Sequence, residues 1–532
     1  MRSVHWADVV ASRLMERGGR HVICSGTSIS GAPHIGSAGD VIFADVVARA
    51  VRRAGGEAEV IWIQDDMDPL RSVPEQLPRS FEAYLGKPVS DLPPIGDEPY
   101  VQHFVRPFLA GLAELGIRPR VYSGTELYRG GMAKELVRTA LDRASDVRRI
   151  VEETSGAERD EDWMPFSVVC QRCGRIATTK AYGRDAEGRV LYRCQGGVAG
   201  KKDIAGCGHE GAAELTEGKL SWRLDWAARW KLLGVTCEPF GKDHAAAGGS
   251  WDTSSRIVEE DFGYPKPLPV VYEHILVGGE KMSKSKGNVV TLQQLLDVVP
   301  PEVVRWLFVR TDPNKHKDFD WAKLPQLVEE YERAERLHYG AEAPSPREDP
   351  EDVRRAYELS QVTEAPAPAM RQVPFGHLVT LVQIASDTEG VLAVLRRTGE
   401  LAEGLDAASM ATLESKAARA RAWVAAHAPE DARFTVQPAL TDEARAQLTD
   451  PQRELLGAVA GALAAGPWEA GAIHNTVHDL GHARGMKAGD AFGAVYLAVL
   501  GKRRGPRLGY FLATMDRGWV VGRLAEASHR KQ

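Results

Sequence analysis

Three lysines fall within six residues of the segment "KMSKSKGN", Lys281–Asn288, directly after Gly278 and Gly279. Crowded cations repel one another until an anion neutralises them. The segment therefore suits a polyphosphate, and the flanking glycines are expected to keep it mobile. The reading without chemistry is a solvated basic loop. A second candidate is "GTSISGAPHIGSAGD", residues 26–40, between an apolar run and a helical pattern. In an open α/β sheet, ligands bind beyond the carboxyl ends of the strands, where loops enter helices whose N-terminal amides favour anions. Pro33 suits the first helical turn, and Gly36 leaves the backbone bare where a flat base could lie. His34 and Ser37 would then face a nucleotide; the alternative is a glycine-rich structural turn. A third candidate is the group Cys170, Cys173, Cys194 and Cys207, opening with a C-x2-C pair, with His209 two residues beyond the last. That grouping suits tetrahedral zinc, either with four thiolates or with His209 replacing one, and the closed site would be structural. Four unbound buried thiols are the alternative.

The elements that must position these residues follow from the apolar pattern. "HVICS" (21–25), "EVIWIQ" (59–64), "RVYSG" (120–124), "CEPFG" (237–241) and "VVYEHILV" (270–277) read as strands. Residues 40–56 and 99–116 read as amphipathic helices, and a long helical stretch runs through 153. Asp40 is expected in the first turn of its helix, where it could simply favour the helix dipole. The alternation predicts an α/β fold with a doubly wound parallel sheet of Rossmann type. A cysteine- and glycine-rich module interrupts it at 160–218, giving a catalytic domain over 1–290. A helical region follows at 291–340, with a Pro- and acid-rich linker near 340–352 and an all-helical domain over 341–532.

The 532 residues exceed one core, and a net charge of -6 argues against a chain coated in cations. No stretch reaches the ~18 apolar residues of a membrane span, and the N-terminus lacks a signal-peptide core, so a cytoplasmic location is expected. Six cysteines do not make a disulfide framework. Cys24 and Cys237 read as small core residues.

"PHIGS" and "KMSKSKGN" together resemble the two signatures of class I aminoacyl-tRNA synthetases. The match departs at Ser37, where that family commonly has a second histidine. "QDDMDPLRSVP" (64–74), "KLSWRLDWAARW" (219–230), "GKDHAAAGGSWDTS" (241–254) and "AVYLAVLGKRRGPRLGYFLA" (494–513) narrow the resemblance to the class I lysyl-tRNA synthetases. That resemblance implies Mg²⁺-ATP, lysine and tRNA(Lys) as substrates, a monomer, and an anticodon-reading function for the helical C-terminal half. It implies His34, Lys281 and Lys284 as catalytic residues, with Gly36, Ser37, Gly241, Asp243, Met282 and Ser283 completing an ATP site. It implies a lysine pocket of Gly26, Ser28, Asp40, Trp222, His244 and Tyr272. Asp40 would supply the carboxylate that a substrate ammonium needs, where the family often has the longer glutamate. Trp226 and Trp230, at helical spacing, read as core. The resemblance also implies a zinc module near the acceptor end of the tRNA. "GKRRGPR" (501–507) is either a phosphate contact or a solvated surface. Competing expectations are a synthetase for cysteine or glutamate, and a non-catalytic zinc-containing RNA-binding relative.

Overall fold

A computed structural model describes residues 5–282, 288–346, 348–363, 373–401 and 405–529. The described residues form two compact units. The first takes in Met1–Leu296, Pro301–Phe319 and Ala334–Ala365; the second takes in Asp297–Pro300, Asp320–Arg333 and Pro366–Gln532. The 340–352 stretch expected as a linker lies inside the first unit, where it opens the helix Pro350–Ser360.

The first unit is built on a five-stranded sheet. Its strands are β1 (Arg20–Ser28), β2 (Glu57–Asp65), β3 (Arg120–Ser123), β4 (Cys237–Gly241) and β5 (Leu268–Tyr272). They run in the order β5-β4-β1-β2-β3, and every pairing is parallel. The order reverses direction between β1 and β4, so the loops leaving these two strands diverge and open a crevice at their carboxyl ends. Central β1 is apolar along its middle, with Ile23 fully buried and Cys24 nearly so. Helix α1 (Ile35–Arg53) connects β1 to β2, and α2 (Tyr100–Glu114) connects β2 to β3. Most of α1 is buried, Val41, Phe43 and Val47 fully. At about 1.5–3 kcal/mol for each large apolar side chain, that burial fixes the helix against the sheet.

Two sequence expectations change here. Helix α1 begins at Ile35, because His34 acts as its N-cap: its Nδ1 accepts from the Gly36 and Ser37 amides at 3.0 and 3.4 Å. Asp40 therefore sits in the second turn, and its role is not that of a first-turn acid. The "VVYEHILV" run is two strands, not one. β5 ends at Tyr272; the Glu273 amide then donates to Pro313 O, and Ile275–Val277 joins a separate small sheet with Glu280–Lys281 and Lys317–Phe319. Gly278 and Gly279 form the tight turn of that hairpin, with φ of +60° and +79°. Two successive left-handed residues are what a two-residue hairpin turn demands, so these glycines impose geometry rather than slack.

Directly after β3 come three helices, Gly124–Arg129, Lys134–Asp142 and Ala144–Ser155, in place of the single long stretch expected. The cysteine module follows, and then α3 (Trp222–Leu233). Helix α4 (Ser250–Glu260) links β4 to β5. The module is a three-stranded antiparallel sheet (Thr179–Arg184, Val190–Cys194, Glu210–Ala213) with a hairpin of Gly196–Ala199 and Lys202–Ala205.

Apart from one-turn segments, the described elements of the second unit are α-helices. Its core includes Leu455, Val459, Ile473, Val477, Leu497, Phe511 and Leu524. Trp423 is buried there and donates to Trp321 O at 2.7 Å.

Candidate active site

The crevice holds a cavity of ≈ 440 Å³. Gly26 and Ser28 reach it from the end of β1, Ser37 and Asp40 from α1, Trp222 from α3, and Gly241, His244 and Tyr272 from the ends of β4 and β5. All six residues of the expected lysine pocket therefore line this one cavity. Of the expected ATP residues, Ser37 and Gly241 also line it.

At one end of the cavity, the Tyr272 hydroxyl donates to Asp40 Oδ1. The Tyr272 ring is stacked on Phe43, centroids 5.1 Å apart. Phe43 follows Asp40 by three residues, so one face of α1 presents the acid and braces its phenol. No cation among the described residues forms an ion pair with Asp40. Burial, and then the neighbouring Glu238 charge, push its carboxyl well above the usual range.

Glu238 escaped the sequence reading. It is buried in β4 yet lines the cavity, and burial pushes it up to about 7. Its oxygens accept from Trp226 Nε1 at 2.9 Å and Trp230 Nε1 at 2.5 Å. The two tryptophans are buried as expected, but their indole N–H groups carry a polar task and Trp226 also faces the cavity. A strand of five mostly buried residues gave no cue to the acid. An indole pair at i and i+4 on α3, needing acceptors once buried, was the available signal.

The flat wall is aromatic. Trp222 is 40% exposed and stacks on Trp226 with centroids 5.3 Å apart and planes at 15°. His244 approaches both rings, at 5.9 and 5.5 Å, and burial lowers its pKa.

The other end of the cavity has the opposite electrostatic character. Lys219 Nζ lies 2.6 Å from Asp65, 2.6 Å from Asp68 and 3.3 Å from Asp225. Arg229 lies 3.0 Å from Asp65 and 2.6 Å from Asp225, and the Tyr128 hydroxyl donates to Asp225 at 2.7 Å. Ser28 Oγ donates to Asp68 at 2.7 Å. Burial alone would push the Asp65 carboxyl up, but the Arg229 and Lys219 charges win and hold it well below the usual range. The acids at this end are matched by built-in cations. Asp40 and Glu238 are not.

The phosphate-side residues gather outside the cavity wall. Lys281 Nζ lies 3.1 Å from Asp243 and 3.2 Å from His274 Nε2. That contact with Lys281 is the first reason why Asp243 titrates below its ordinary value. Ile35 N donates to Val290 O at 2.9 Å and His34 forms an isolated antiparallel bridge with Thr291, so the segment 290–291 is pinned to the start of α1. A side chain on Gly36 would first strike the His34 ring, with the Met282 methyl beyond at 3.5 Å. Met282 and the cap of α1 are thus adjacent. Ser283 and Lys284 lie outside the described residues.

In the cysteine module, Cys170 and Cys207 Sγ are 3.6 Å apart and Cys173 and Cys194 Sγ 3.8 Å, with all four sulfurs within 4.8 Å of one another. A tetrahedron with Zn–S of about 2.3 Å requires sulfurs about 3.8 Å apart, so the donor set fits zinc. His209 is not in the cluster. The loose Cys194–Cys207 spacing is explained by the intervening hairpin, which folds out and returns Cys207 to Cys194; the Gly208 amide donates to Cys194 O at 3.0 Å.

A model of the class I (K) tRNA synthetases matches residues 4–363, and a model of an anticodon binding domain matches residues 383–528. The chain is 38% identical to a lysine–tRNA ligase of Methanosarcina acetivorans, over 99% of this chain and 98% of that protein. It is 39% identical to the lysine–tRNA ligase of Archaeoglobus fulgidus, over 98% of this chain and all of that one. The lysine–tRNA ligase of Picrophilus torridus is 34% identical over 98% of this chain and 99% of its own.

Proposed function

The chain belongs to the class I lysyl-tRNA synthetase family, and we propose that it joins lysine to tRNA(Lys) by way of a lysyl-adenylate, with the residue roles given below. The observation that carries the roles is that Asp40 and Glu238 line the cavity with no ion-paired cation among the described residues, whereas Asp65 and Asp68 on the same lining have theirs. A lysine side chain entering that end brings the missing cation to Asp40, which would accept from the ammonium while Tyr272 holds its orientation. Trp222 lies along the aliphatic stem, adding cation–π attraction, and His244 closes the same side. Gly26 and Ser28 border the backbone end of the substrate. Glutamate would place a second anion against Asp40 and Glu238, and cysteine would leave them unpaired.

In activation, a lysine carboxylate oxygen bonds to the α-phosphorus of ATP and the bond to the pyrophosphate oxygen breaks. Charge develops on pyrophosphate, and positioned donors of that kind are typically worth about 2.7–4 kcal/mol each. We assign this to Lys281 and Lys284 with Met282 and Ser283 between them, and place adenosine against His34, Gly36, Ser37, Gly241 and Asp243. Magnesium accompanies ATP as part of that substrate. In transfer, a hydroxyl of the terminal tRNA ribose attacks the lysyl carbonyl and AMP leaves.

Zinc held by Cys170, Cys173, Cys194 and Cys207 would cross-link the inserted module. The main-chain carbonyls of Ala83 and Leu85 accept from Arg175 and that of Gly86 from the Ile176 amide, joining the module to the catalytic unit. We place catalysis in 1–290, module included, tRNA stem contact in 291–340, and anticodon binding in the helical C-terminal part. The protein acts as a monomer in the cytoplasm, which light scattering and cell fractionation would check. The decisive experiment is ATP–pyrophosphate exchange across twenty amino acids, with and without tRNA(Lys). Lysine alone should support exchange; exchange driven equally by another amino acid overturns the reading.

A further inference from the structure

The helix Ala470–His482 buries Ile473, Val477 and Gly481 against its neighbours. One residue after each stands a histidine, so His474, His478 and His482 form an exposed stripe at i, i+4 and i+8. Their rings are nearly parallel. His474 and His478 centroids are 6.5 Å apart with planes at 8°, and His478 and His482 are 6.4 Å apart at 14°. Phe492 extends the stack, 4.9 Å from His474. Beside it, Gly509 abuts His474 so closely that a side chain there would lie 3.1 Å from the His474 Cβ. The next residue is Tyr510, 59% exposed, and the exposed Arg504 and Arg507 precede it in "GKRRGPR". Arg484 and Lys487 stand exposed beyond the other end of the stripe.

We propose that this ladder of imidazoles, with Tyr510 at its side, is the surface on which unpaired bases of the tRNA anticodon loop stack, the flanking arginines taking the phosphates. RNA sequence is read from splayed bases laid on flat side chains, while cations follow the backbone. The centroids of successive rings are 6.4–6.5 Å apart, comparable with the ~6.8 Å, twice the ~3.4 Å base spacing, that a flat base and its two neighbours span. All three histidines are exposed, and among the described residues only His474 has a further aromatic ring, Phe492, against it. The inference rests on the tRNA-charging function proposed above.

The test uses the full chain and transcribed tRNA(Lys). It compares a His474→Ala, His478→Ala double variant with the His474→Phe, His478→Phe double variant, which keeps flat rings. Lysine-dependent pyrophosphate exchange without tRNA should be unchanged in both. The KM for tRNA in aminoacylation should rise about 10-fold or more in the alanine pair and return to within about threefold in the phenylalanine pair. Tyr510→Ala should raise it about fivefold. An alanine pair with parental KM for tRNA overturns the ladder, as does equal loss in both pairs, which would mean a packing role. Absence of lysine-dependent exchange in the parent protein would instead overturn the charging function itself.

Discussion

Replacing Asp40 by Asn removes one negative charge from the cavity while leaving an oxygen to accept from Tyr272. Removing one partner of a buried charge pair costs about 3–5 kcal/mol. The lower figure applies here, because the empty site resists ionising: burial and Glu238 raise the Asp40 pKa, and lysine must displace that proton before it gains the carboxylate. About 3 kcal/mol corresponds to roughly a 150-fold rise in the KM for lysine, with the KM for ATP nearly unchanged. The pH dependence follows from the same direction of shift. As pH falls through the raised pKa, the parent should lose lysine affinity about tenfold per unit, and this limb should vanish in Asp40→Asn. Stability gives an independent reading. An acid whose folded pKa is raised contributes stability at low pH that is lost as pH climbs through that pKa, so lysine-free Asp40→Asn should melt above the parent at pH 8. Lysine-dependent exchange and thermal melting check both. A lysine KM within threefold of the parent would refute the placement of the ammonium at Asp40.

Glu238→Gln should raise the lysine KM with little change in the ATP KM, and should remove a titration near pH 7 from the lysine-binding profile. The rise from an ordinary 4.5 to about 7 corresponds to about 3 kcal/mol of stability, present at low pH and lost as pH rises through 7. Lys219→Met leaves Asp65 and Asp225 with Arg229 and Asp68 with the exposed Arg71 at 3.6 Å, and should cost about 3–5 kcal/mol in urea unfolding. Cys170→Ser with Cys173→Ser should abolish stoichiometric zinc in metal analysis and destabilise the module; unchanged zinc content would end the assignment. Ornithine, shorter by one methylene, should be rejected only about 10- to 200-fold in exchange assays.

The sheet was legible in the sequence because each strand is a short apolar run bounded by helical periodicity, and Gly26, Ser28, Gly241 and Tyr272 line the cavity because they lie at the ends of those strands. The errors have local causes. Helix α1 was placed late because its N-cap is a histidine, which carries no strong capping signal beside Ser, Thr, Asp or Asn. The hairpin after β5 was hidden because Val270–Tyr272 and Ile275–Val277 are both apolar, and only the polar pair Glu273 and His274 marks where the chain leaves the sheet. Gly278 and Gly279 were read as slack although a hairpin turn needs two residues at positive φ. The Lys219, Arg229, Asp65, Asp68 and Asp225 network was invisible as a unit, since its members are drawn together from opposite sides of the inserted module.

That network explains how one cavity can hold acids of opposite behaviour. Asp65 and Asp40 are both carboxylates on the wall of the same space, yet one is held ionised and the other is driven toward its protonated form. The difference lies in the partners: Asp65 has Lys219 and Arg229 within 3.0 Å, whereas no described cation pairs with Asp40 or Glu238. A protein folding for stability alone gains little from two such acids without a paired cation, since the donors Tyr272, Trp226 and Trp230 offset only part of the desolvation that raises both. They become favourable only when a ligand supplies the cation. The matched acids already have cations, while on the proposed reading the substrate's primary ammonium supplies the one that Asp40 lacks. Under that proposal, selectivity for charge would follow from the missing cation, and selectivity for length only from the room between Asp40 and the backbone end of the site.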